Sequence, residues 1–397
     1  MSKLIEITGK PISGEWGSDD LAGTGIPVLR TTNFTNEGIV NYSNIVTRQI
    51  KKKNIAEKML RYGDIILEKS GGSDNHPVGR VVFFEGEENK YLFNNFTGVL
   101  RIQDTNKWHP KYVFYALFTS YVSGGTVCYE NRTTGLHNLR TDSYVSSVEI
   151  PDRTIDEQIA IVEHIDTIVK IIRLYKDQVS NLDVLVKSRF IELFGDPVSN
   201  PRNLPITSLG ELSDLITKGA SPSWQGFSYT DDASQTLFVT SENVREGYID
   251  ISNPKYIEDG FNAKQKRSVL KKGDFLINIV GASIGRAAQF NLDCKANINQ
   301  AAALVRVTDK RIRDKYLLIY LNSEKALQMY DSMKSDTGRA NLSLQDIGSL
   351  SILIPPVEEQ IAFEAFIEQT DKSKLAVQKG LQELEIMKKS LMQKYFG

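Results

Sequence analysis

The sequence is poor in cysteine and contains no long apolar run. Its two cysteines, Cys128 and Cys294, lie far apart and form no Cys-x-x-Cys pair. This excludes a disulfide framework and gives no zinc-binding pattern, and it predicts a reducing, cytosolic compartment. No apolar run approaches the ~18–20 residues that a transmembrane helix needs. The N-terminal residues MSKLIEITGK lack the apolar stretch of a signal peptide.

An excess of either charge is also missing. The chain has 48 Lys and Arg against 49 Asp and Glu, for a formal net charge of −1, which excludes a polycation or an acidic disordered chain. A hydrophobic content of 41% and only 12 prolines among 397 residues are typical of a folded soluble protein of two or three domains. Any basic surface must therefore be local. The four histidines are scattered and show no metal-ligand spacing.

The main signal is a long internal repeat, in which short segments return in the same order about 200 residues later. The paired segments are Leu60–Leu67 with Leu270–Ile277, Val78–Arg80 with Ile284–Arg286, Thr134–Leu139 with Thr337–Leu342, Asp156–Ala160 with Glu358–Ala362, and Phe194–Gly195 with Phe396–Gly397. Chance could supply one such match but hardly five collinear ones. The chain is therefore predicted to contain two copies of one structural unit.

Each copy begins with a mixed globular part, so the predicted fold class is α+β. Predicted strand segments are Gly79–Phe84, Asp274–Val280 and Ala302–Val307, and predicted helical segments are Pro110–Tyr121 and Lys315–Met333. Strand order cannot be derived from these patterns. Trp16 and Trp224 fall at similar positions in the two copies and are interpreted as packing residues, with stacking on DNA bases as the alternative.

Each copy ends in a predicted long helix. Pro151 and Pro355 precede the two helices, acidic residues follow in the first turn, and no proline occurs over 154–194 or 357–396. About 40 residues at ~1.5 Å each make a helix of about 60 Å. The predicted organisation is a mixed globular domain at 1–152, a long helix at 153–195, a second globular domain at 196–355 and a second long helix at 356–397.

Both helices carry apolar residues with a sustained period of seven. The predicted seam positions are Ile165, Ile172, Val179, Val186 and Leu193 in the first helix, and Ile367, Val377, Leu381, Leu384 and Leu391 in the second. This period predicts a coiled coil. We expect the two helices to pack antiparallel, with pseudo-two-fold symmetry and the globular parts at opposite ends. The alternative is that each helix folds back on its own globular part.

Three polar loops recur in the globular parts and are candidates for base contacts in DNA. In the first loop the candidates are Arg30, Thr32 and Asn33 of the first copy and Ser241 and Asn243 of the second. In the second loop they are Ser70 and Ser73 with Ser283, and in the third loop Arg132 and Thr133 with Arg339, again with the first copy named first. Arginine matches the acceptors of guanine, and asparagine matches adenine. The alternative is ordinary turn chemistry. The copies agree in framework glycines and asparagines but differ in loop side chains, which favours recognition of two different half-sites.

Basic clusters precede the Gly-Asp segment of both copies. They contain Lys51, Lys52 and Lys53 in the first copy and Lys264, Lys266 and Arg267 in the second. A cluster that recurs at the same structural place could contact phosphates. The alternative is a solvated charged face.

The chain resembles the specificity subunit of type I restriction-modification systems. The resemblance rests on Ile354-Pro355-Pro356-x-x-Glu359-Gln360-Ile361 and its first-copy form from Ile150 to Ile159, on Phe194-Gly195-Asp196-Pro197, and on the loop Gly281–Arg286. It implies two target-recognition domains that each recognise one half of a split DNA sequence. It also implies a non-catalytic chain without a cofactor of its own. Its partners would be double-stranded DNA, two methyltransferase subunits that use S-adenosylmethionine to methylate adenine N6, and restriction subunits that use ATP and Mg²⁺.

Two other functions remain as alternatives. Asp64 followed by Glu88-x-Lys90, and Asp274 followed by Asp293-x-Lys295, match the carboxylate and lysine pattern of Mg²⁺-dependent nucleases. The second alternative is a purely structural coiled-coil adaptor. Binding of DNA by the chain without turnover would distinguish both from a sequence-recognition subunit.

Overall fold

The computed structural model describes residues 1–51, 54–73, 76–132, 137–333 and 341–397. It divides into two compact units. Unit 1 comprises Met1–Lys176 and Lys379–Gly397, and unit 2 comprises Asp177–Gln378. The candidates Lys52, Lys53, Thr133 and Arg339 lie outside the described residues. Within the described ranges, no helix is both long and apolar enough to cross a membrane.

Unit 1 is a mixed α/β structure with short strands. Its strands are β1 (Ser2–Lys3), β2 (Ile12–Ser13), β3 (Ser18–Asp19), β4 (Ile26–Leu29), β5 (Val46–Gln49), β6 (Ile65–Glu68), β7 (Ser70–Gly72), β8 (Val81–Phe83), β9 (Leu92–Phe93), β10 (Thr97–Leu100), β11 (Glu130–Asn131), β12 (His137–Leu139) and β13 (Glu149–Ile150). Its helices are α1 (Leu4–Thr8), α2 (Pro110–Val122) and α3 (Thr141–Ser147), followed by the start of the long helix α4 (Ile155–Phe194).

Unit 2 has a closely similar set of elements. Its strands are β14 (Ile206–Ser208), β15 (Ser213–Lys218), β16 (Tyr229–Thr230), β17 (Thr236–Val239), β18 (Tyr256–Ile257), β19 (Phe275–Asn278), β20 (Ala287–Gln289), β21 (Ala296–Ile298), β22 (Ala302–Val307) and β23 (Ser351–Leu353). Its helices are α5 (Gly260–Lys264), α6 (Asp314–Leu321), α7 (Glu324–Met333) and α8 (Leu344–Ser349), followed by the start of the long helix α9 (Val357–Phe396).

The sheet topology confirms the internal repeat. The central sheet has the order β2-β10-β6-β8 in unit 1 and β15-β22-β19-β20 in unit 2. A second sheet has the order β3-β5-β4-β9 in unit 1 and β16-β18-β17-β21 in unit 2, and in both its last pair is parallel. The two-stranded sheets β1-β13 and β14-β23 also correspond. The predicted strand segments contain β8, β19 and β22, so these predictions are confirmed, as is the mixed fold class.

The strand that follows the Gly-Asp pair, β6 in unit 1 and β19 in unit 2, is buried on both sides, which explains why both copies have an apolar run there. In β6, Ile65 and Leu67 face one core cluster and Ile66 faces another. In β19, Phe275 and Ile277 face one cluster and Leu276 the other. Successive side chains of a strand point to opposite faces, so an uninterrupted apolar run marks a strand that is buried on both sides.

One helix prediction is confirmed and one is wrong in part. The predicted helix Pro110–Tyr121 is α2, but the segment Lys315–Met333 forms two helices, α6 and α7, that are separated at Asn322. The Asn322 side chain accepts a hydrogen bond from the amide of Ala287 and donates to the carbonyl of the same residue, both at 2.9 Å. This tertiary contact ends α6 at a position that helical periodicity alone does not mark.

The two long helices run past each other in opposite directions within each unit. In unit 1, the Tyr175 ring lies against Gly380, and a Cβ atom added at Gly380 would be 2.7 Å from the ring. Farther along the pair, Met392 is buried in the same core cluster as Ile165. Higher residue numbers in α4 thus face lower numbers in α9. The same order holds in unit 2. There Asp183 pairs with Lys374 at 2.6 Å, and the rings of Phe190 and Phe363 lie 5.8 Å apart.

The predicted seam positions all lie on the inner side of the helices. Buried positions are Ile165, Ile172, Val186 and Ile367, and half-buried positions are Val179, Leu193, Val377, Leu381, Leu384 and Leu391. The helix ends also contact the globular parts, as the 4.8 Å ring contact of Phe194 with Tyr316 shows. The seam therefore joins an antiparallel helix pair in each unit and extends into the globular core.

A buried glutamine anchors each long helix to its globular part. Gln158 donates to the carbonyls of Lys107 and Arg153 at 2.9 and 3.0 Å and accepts from the amide of His109 at 2.9 Å. Gln360 donates to the carbonyls of Arg311 and Pro355 at 2.9 and 2.8 Å and accepts from the amide of Arg313 at 2.8 Å. Both side chains are 0% exposed. The glutamine of the recurring Glu-Gln-Ile motif therefore joins each long helix to its globular part, which accounts for its recurrence in both copies.

Replacing Gln360 with alanine is expected to lower the free energy of unfolding of unit 2 by about 2–4 kcal/mol, because buried backbone groups lose their hydrogen-bond partners. Urea-induced unfolding measures the change. Gln369→Ala is the matched control, because Gln369 is exposed on the same helix. An equal loss in both variants would contradict the anchoring role.

Candidate nucleic-acid interface

In unit 2, the recurring polar loops meet at the end of β19. The Asn278 amide donates to the Ser241 carbonyl at 2.9 Å and to the Ser283 hydroxyl at 3.0 Å, which joins the first two loops. The third loop ends beside them, because the amide of Leu342 donates to the carbonyl of Ile279 at 2.9 Å. We call these segments, residues 240–243, 281–286 and 341–342, the unit 2 loop cluster.

Unit 1 brings the equivalent loops together with different side chains. The Arg80 guanidinium donates to the carbonyls of Thr31 and Phe34 at 3.0 and 3.2 Å, which ties the first loop to the central sheet. Strand β7, from Ser70 to Gly72, pairs with β12, so the end of the third loop lies beside the second. We call residues 30–34, 70–73 and 137–139 the unit 1 loop cluster.

Most of the described candidate side chains in these loops are accessible to a ligand. Thr32, Ser73 and Arg132 are exposed, and Arg30, Ser70, Ser241 and Ser283 are partly exposed. Arg132 also pairs with Glu130 at 3.2 Å, and Arg30 donates to the Asn44 carbonyl at 3.1 Å. The loops thus present hydroxyl groups and guanidinium groups together, which are groups that bind base edges and phosphates.

The two candidate asparagines are already used within their loops. Asn33 is 2% exposed, and its side chain accepts from the amide of Arg30 at 3.0 Å and donates to the carbonyls of Asn41 and Ser43 at 3.1 Å. Asn243 accepts from the amide of Thr240 and donates to the carbonyl of Asp250, both at 2.9 Å. This geometry supports the turn-chemistry alternative for both residues. An adenine contact by either remains a prediction without structural support.

The described members of the basic clusters are exposed. Lys51 in unit 1 and Lys264, Lys266 and Arg267 in unit 2 all lie at the surface. Lys264 donates to the carbonyl of Gln225 at 2.9 Å and lies 6.0 Å from the ring centre of Phe227. Phosphate contact by these side chains stays a prediction, and their exposure is compatible with it.

The two equivalent tryptophans have different environments. The Arg48 guanidinium lies 4.3 Å from the ring centre of Trp16, which is a packing role. Trp224 is 89% exposed. The interpretation of Trp224 as a packing residue is therefore wrong, because its side chain lies in solvent on the single-turn helix Ser223–Gln225.

The first aspartate of each nuclease pattern, Asp64 in one copy and Asp274 in the other, is engaged in a structural ion pair. Asp64 forms two hydrogen bonds of 2.7 Å with the Arg101 guanidinium, and Asp274 forms two of 2.7 Å with Arg306. Lys295 pairs with Asp259 at 2.6 Å. Among the described residues there is no group of acidic, histidine or cysteine side chains that could hold a metal ion. The geometry therefore does not favour the nuclease alternative.

Comparisons with known sequences give a consistent result. Residues 209–385 match the family model of the Type I restriction modification DNA specificity domain. The chain is 27% identical over 158 residues to the EcoBI specificity subunit of Escherichia coli, an alignment that covers 39% of this chain and 33% of that protein. It is 21% identical over 407 residues to the putative MjaX specificity subunit of Methanocaldococcus jannaschii, with 99% and 90% covered.

Two solved structures have the same fold. One comes from a study of complex assembly and conformational transition of the type I R-M system; it aligns with a TM-score of 0.61 at 18% identity and covers 100% of this chain and 96% of that one. The other is the S subunit of a type I restriction-modification system from M. genitalium, with a TM-score of 0.52 at 15% identity and coverages of 100% and 95%. The fold thus extends over both units.

Proposed function

We propose that this chain, which resembles the DNA specificity subunits of type I restriction-modification systems over its whole length, recognises a bipartite DNA sequence without catalysing a reaction itself. Each unit would recognise one half-site. The observation that carries the proposal is the recurrence of one scaffold with one loop cluster, whose side chains differ between the units. Thr32 and Glu242 are exposed at equivalent places, so equal frameworks present different recognition groups.

We further propose that the chain recruits the enzymes that act on the recognised DNA. Two methyltransferase subunits would bind S-adenosylmethionine and methylate adenine N6, and restriction subunits would supply ATP- and Mg²⁺-dependent cleavage. The whole assembly would act in the cytoplasm of a prokaryotic cell. The chain itself would hold neither a cofactor nor a metal ion. The two long helices would fix the gap between the half-sites, because their length is set by a regular backbone rise.

The test is to map methylated adenines in cells that express the chain with its methyltransferase subunit. We expect a split sequence with two short specified halves and a gap of constant length. Thr32→Ala should change one half only, and Glu242→Ala should change the other half only. Methylation that does not depend on the chain, or one uninterrupted target sequence, would contradict the proposal.

The basic cluster of unit 2 offers a separate prediction. Replacing Lys264, Lys266 and Arg267 with alanine should weaken binding to all DNA sequences alike. The slope of log affinity against log salt concentration should fall in magnitude by about 2–3, since each phosphate contact contributes about 0.9. Fluorescence anisotropy at several salt concentrations measures both quantities.

The matched control removes the same charge from the exposed face of α9, by replacing Lys372, Lys379 and Lys389 with alanine. We expect a smaller change in slope for this control. Equal slopes in the two triple variants would show that the cluster acts only through net charge.

A further inference from the structure

One arginine occupies the same position in both units but has different surroundings. Arg80 lies opposite Glu68, and Arg286 lies opposite Asn278. The backbone amide of Glu68 donates to the carbonyl of Arg80 at 2.8 Å, and the backbone amide of Asn278 donates to the carbonyl of Arg286 at 2.9 Å. Residues that lie directly opposite each other in an antiparallel pair have their side chains on the same face. The face is that of the loop cluster, because the Asn278 side chain reaches Ser241 there.

In unit 1 both terminal nitrogens of the guanidinium have partners in the protein. It donates to the carbonyls of Thr31 and Phe34 and lies 3.4 Å from the carboxylate of Glu68. It also lies 5.5 Å from the ring centre of Phe34. Glu68 is 4% exposed, so the charge of Arg80 is balanced inside the structure. Arg80 is therefore a structural clamp for the first loop.

In unit 2 another side chain makes the equivalent bond. Asn278 takes the place of Glu68. The side-chain amide of Asn278 donates to the carbonyl of Ser241, which is the counterpart of the Thr31 carbonyl in unit 1. The clamp is thus supplied by the asparagine. Within the part of the chain that the structure describes, the Arg286 guanidinium has no hydrogen bond or ion pair, and the residue is partly exposed. The substitution at the opposite position both removes the counter-charge and releases the arginine.

We propose that Arg286 contacts DNA in the half-site recognised by unit 2, and that its guanidinium binds a pair of acceptor atoms there. This inference rests on the proposed function. A guanidinium is permanently charged and presents paired donors that match two phosphate oxygens or the O6 and N7 atoms of guanine. Arg286 lies on the same strand face as Asn278, whose side chain contacts Ser241 and Ser283, so the guanidinium is on the face of the unit 2 loop cluster.

The experiment measures binding of the full-length protein to a duplex that contains both half-sites. Arg286→Gln should lower the affinity about 10–100-fold. Arg311→Gln is the matched control: it removes the same charge from the same unit, where the side chain is 59% exposed and paired with Asp309. The control should stay within about 2-fold of the wild type, since an exposed pair of this kind contributes little.

A second variant leaves Arg286 in place. Asn278→Glu recreates the Glu68–Arg80 pairing of unit 1, so it should lower the affinity in the same direction by occupying the guanidinium. The two sources of acceptors give different patterns. A phosphate contact lowers the affinity for all sequences and reduces the salt slope by about 1. A guanine contact lowers it only for duplexes with the correct base pair at one position of one half-site.

Wild-type affinity and specificity in a folded Arg286→Gln variant would overturn the inference. Thermal unfolding at the wild-type temperature establishes that the variant is folded. If Arg286→Gln is less stable, Asn278→Glu decides, and unchanged binding by that variant overturns the inference as well. Absence of sequence-specific binding by the wild type would instead overturn the proposed function, and the inference with it.

Discussion

Inserting seven residues after Lys176 and seven after Gln378 is expected to lengthen the gap in the DNA target by about three base pairs. Seven residues add ~10.5 Å to a helix, and B-DNA rises ~3.4 Å per base pair. The insertion sites are the two places where the long helices pass from one unit to the other. A whole heptad preserves the apolar seam, and neither loop cluster is altered. Both half-sites should therefore remain unchanged.

The measurement is the methylated sequence found in cells that express the variant with the methyltransferase subunit. The control is an insertion of seven residues in α4 alone. This insertion either shifts the contacts of Tyr175 with Gly380 and of Lys176 with Glu385, or leaves the added seven residues without a partner on α9. We expect this variant to be less stable and to methylate poorly. A gap of unchanged length in the double insertion would contradict the role of the helices as a spacer.

Replacing Asp274 with alanine is expected to lower the free energy of unfolding of unit 2 by about 2–4 kcal/mol. The Asp274 carboxylate is 2% exposed and the Arg306 side chain 22% exposed. Removing one partner of a buried ion pair leaves the other charge uncompensated, and partial exposure of the arginine reduces the loss. The carboxylate also accepts a hydrogen bond from the amide of Lys271 at 2.7 Å. Urea-induced unfolding measures the change.

Two further variants make this prediction specific. Asp274→Asn retains an acceptor for the Lys271 amide, so its loss should be smaller. Asp293→Ala removes an exposed carboxylate of the same nuclease pattern and should leave stability within about 0.5 kcal/mol of the wild type. If Asp274→Ala kept full stability and abolished a Mg²⁺-dependent cleavage by the isolated chain, the structural assignment would fail and the nuclease alternative would return.

The repeat was the strongest source of correct predictions. Matches such as Gly63-Asp64 with Gly273-Asp274 predicted two similar units, and the equal sheet orders confirm them. The prolines that precede each helix and the proline-free stretches after them predict two long helices, and these span Ile155–Phe194 and Val357–Phe396. The seven-residue period predicts the apolar face along which they pack. These predictions succeed because burial on one face of a helix, or on both faces of a strand, imposes a regular spacing on apolar residues.

The candidate site was only partly predictable. The loops were identified from recurring polar segments, but the use of Asn33 inside its own turn depends on the carbonyls of Asn41 and Ser43. Nor does the sequence show that Trp224 is exposed while Trp16 is covered by Arg48. A side chain's partner is fixed by residues from other segments, whose positions local patterns do not give.

By itself, the sequence determined the duplication, the mixed fold class, the two long helices and the places of the polar loops, because each of these leaves a local pattern or a repeated one. Only the tertiary structure decided which polar groups are free to meet DNA. Glu68 and Asn278 differ by one side chain at equivalent positions, yet the first holds Arg80 and the second takes over its hydrogen bond. That exchange depends on distances across a strand pair and between loops, and these exist only in the folded chain.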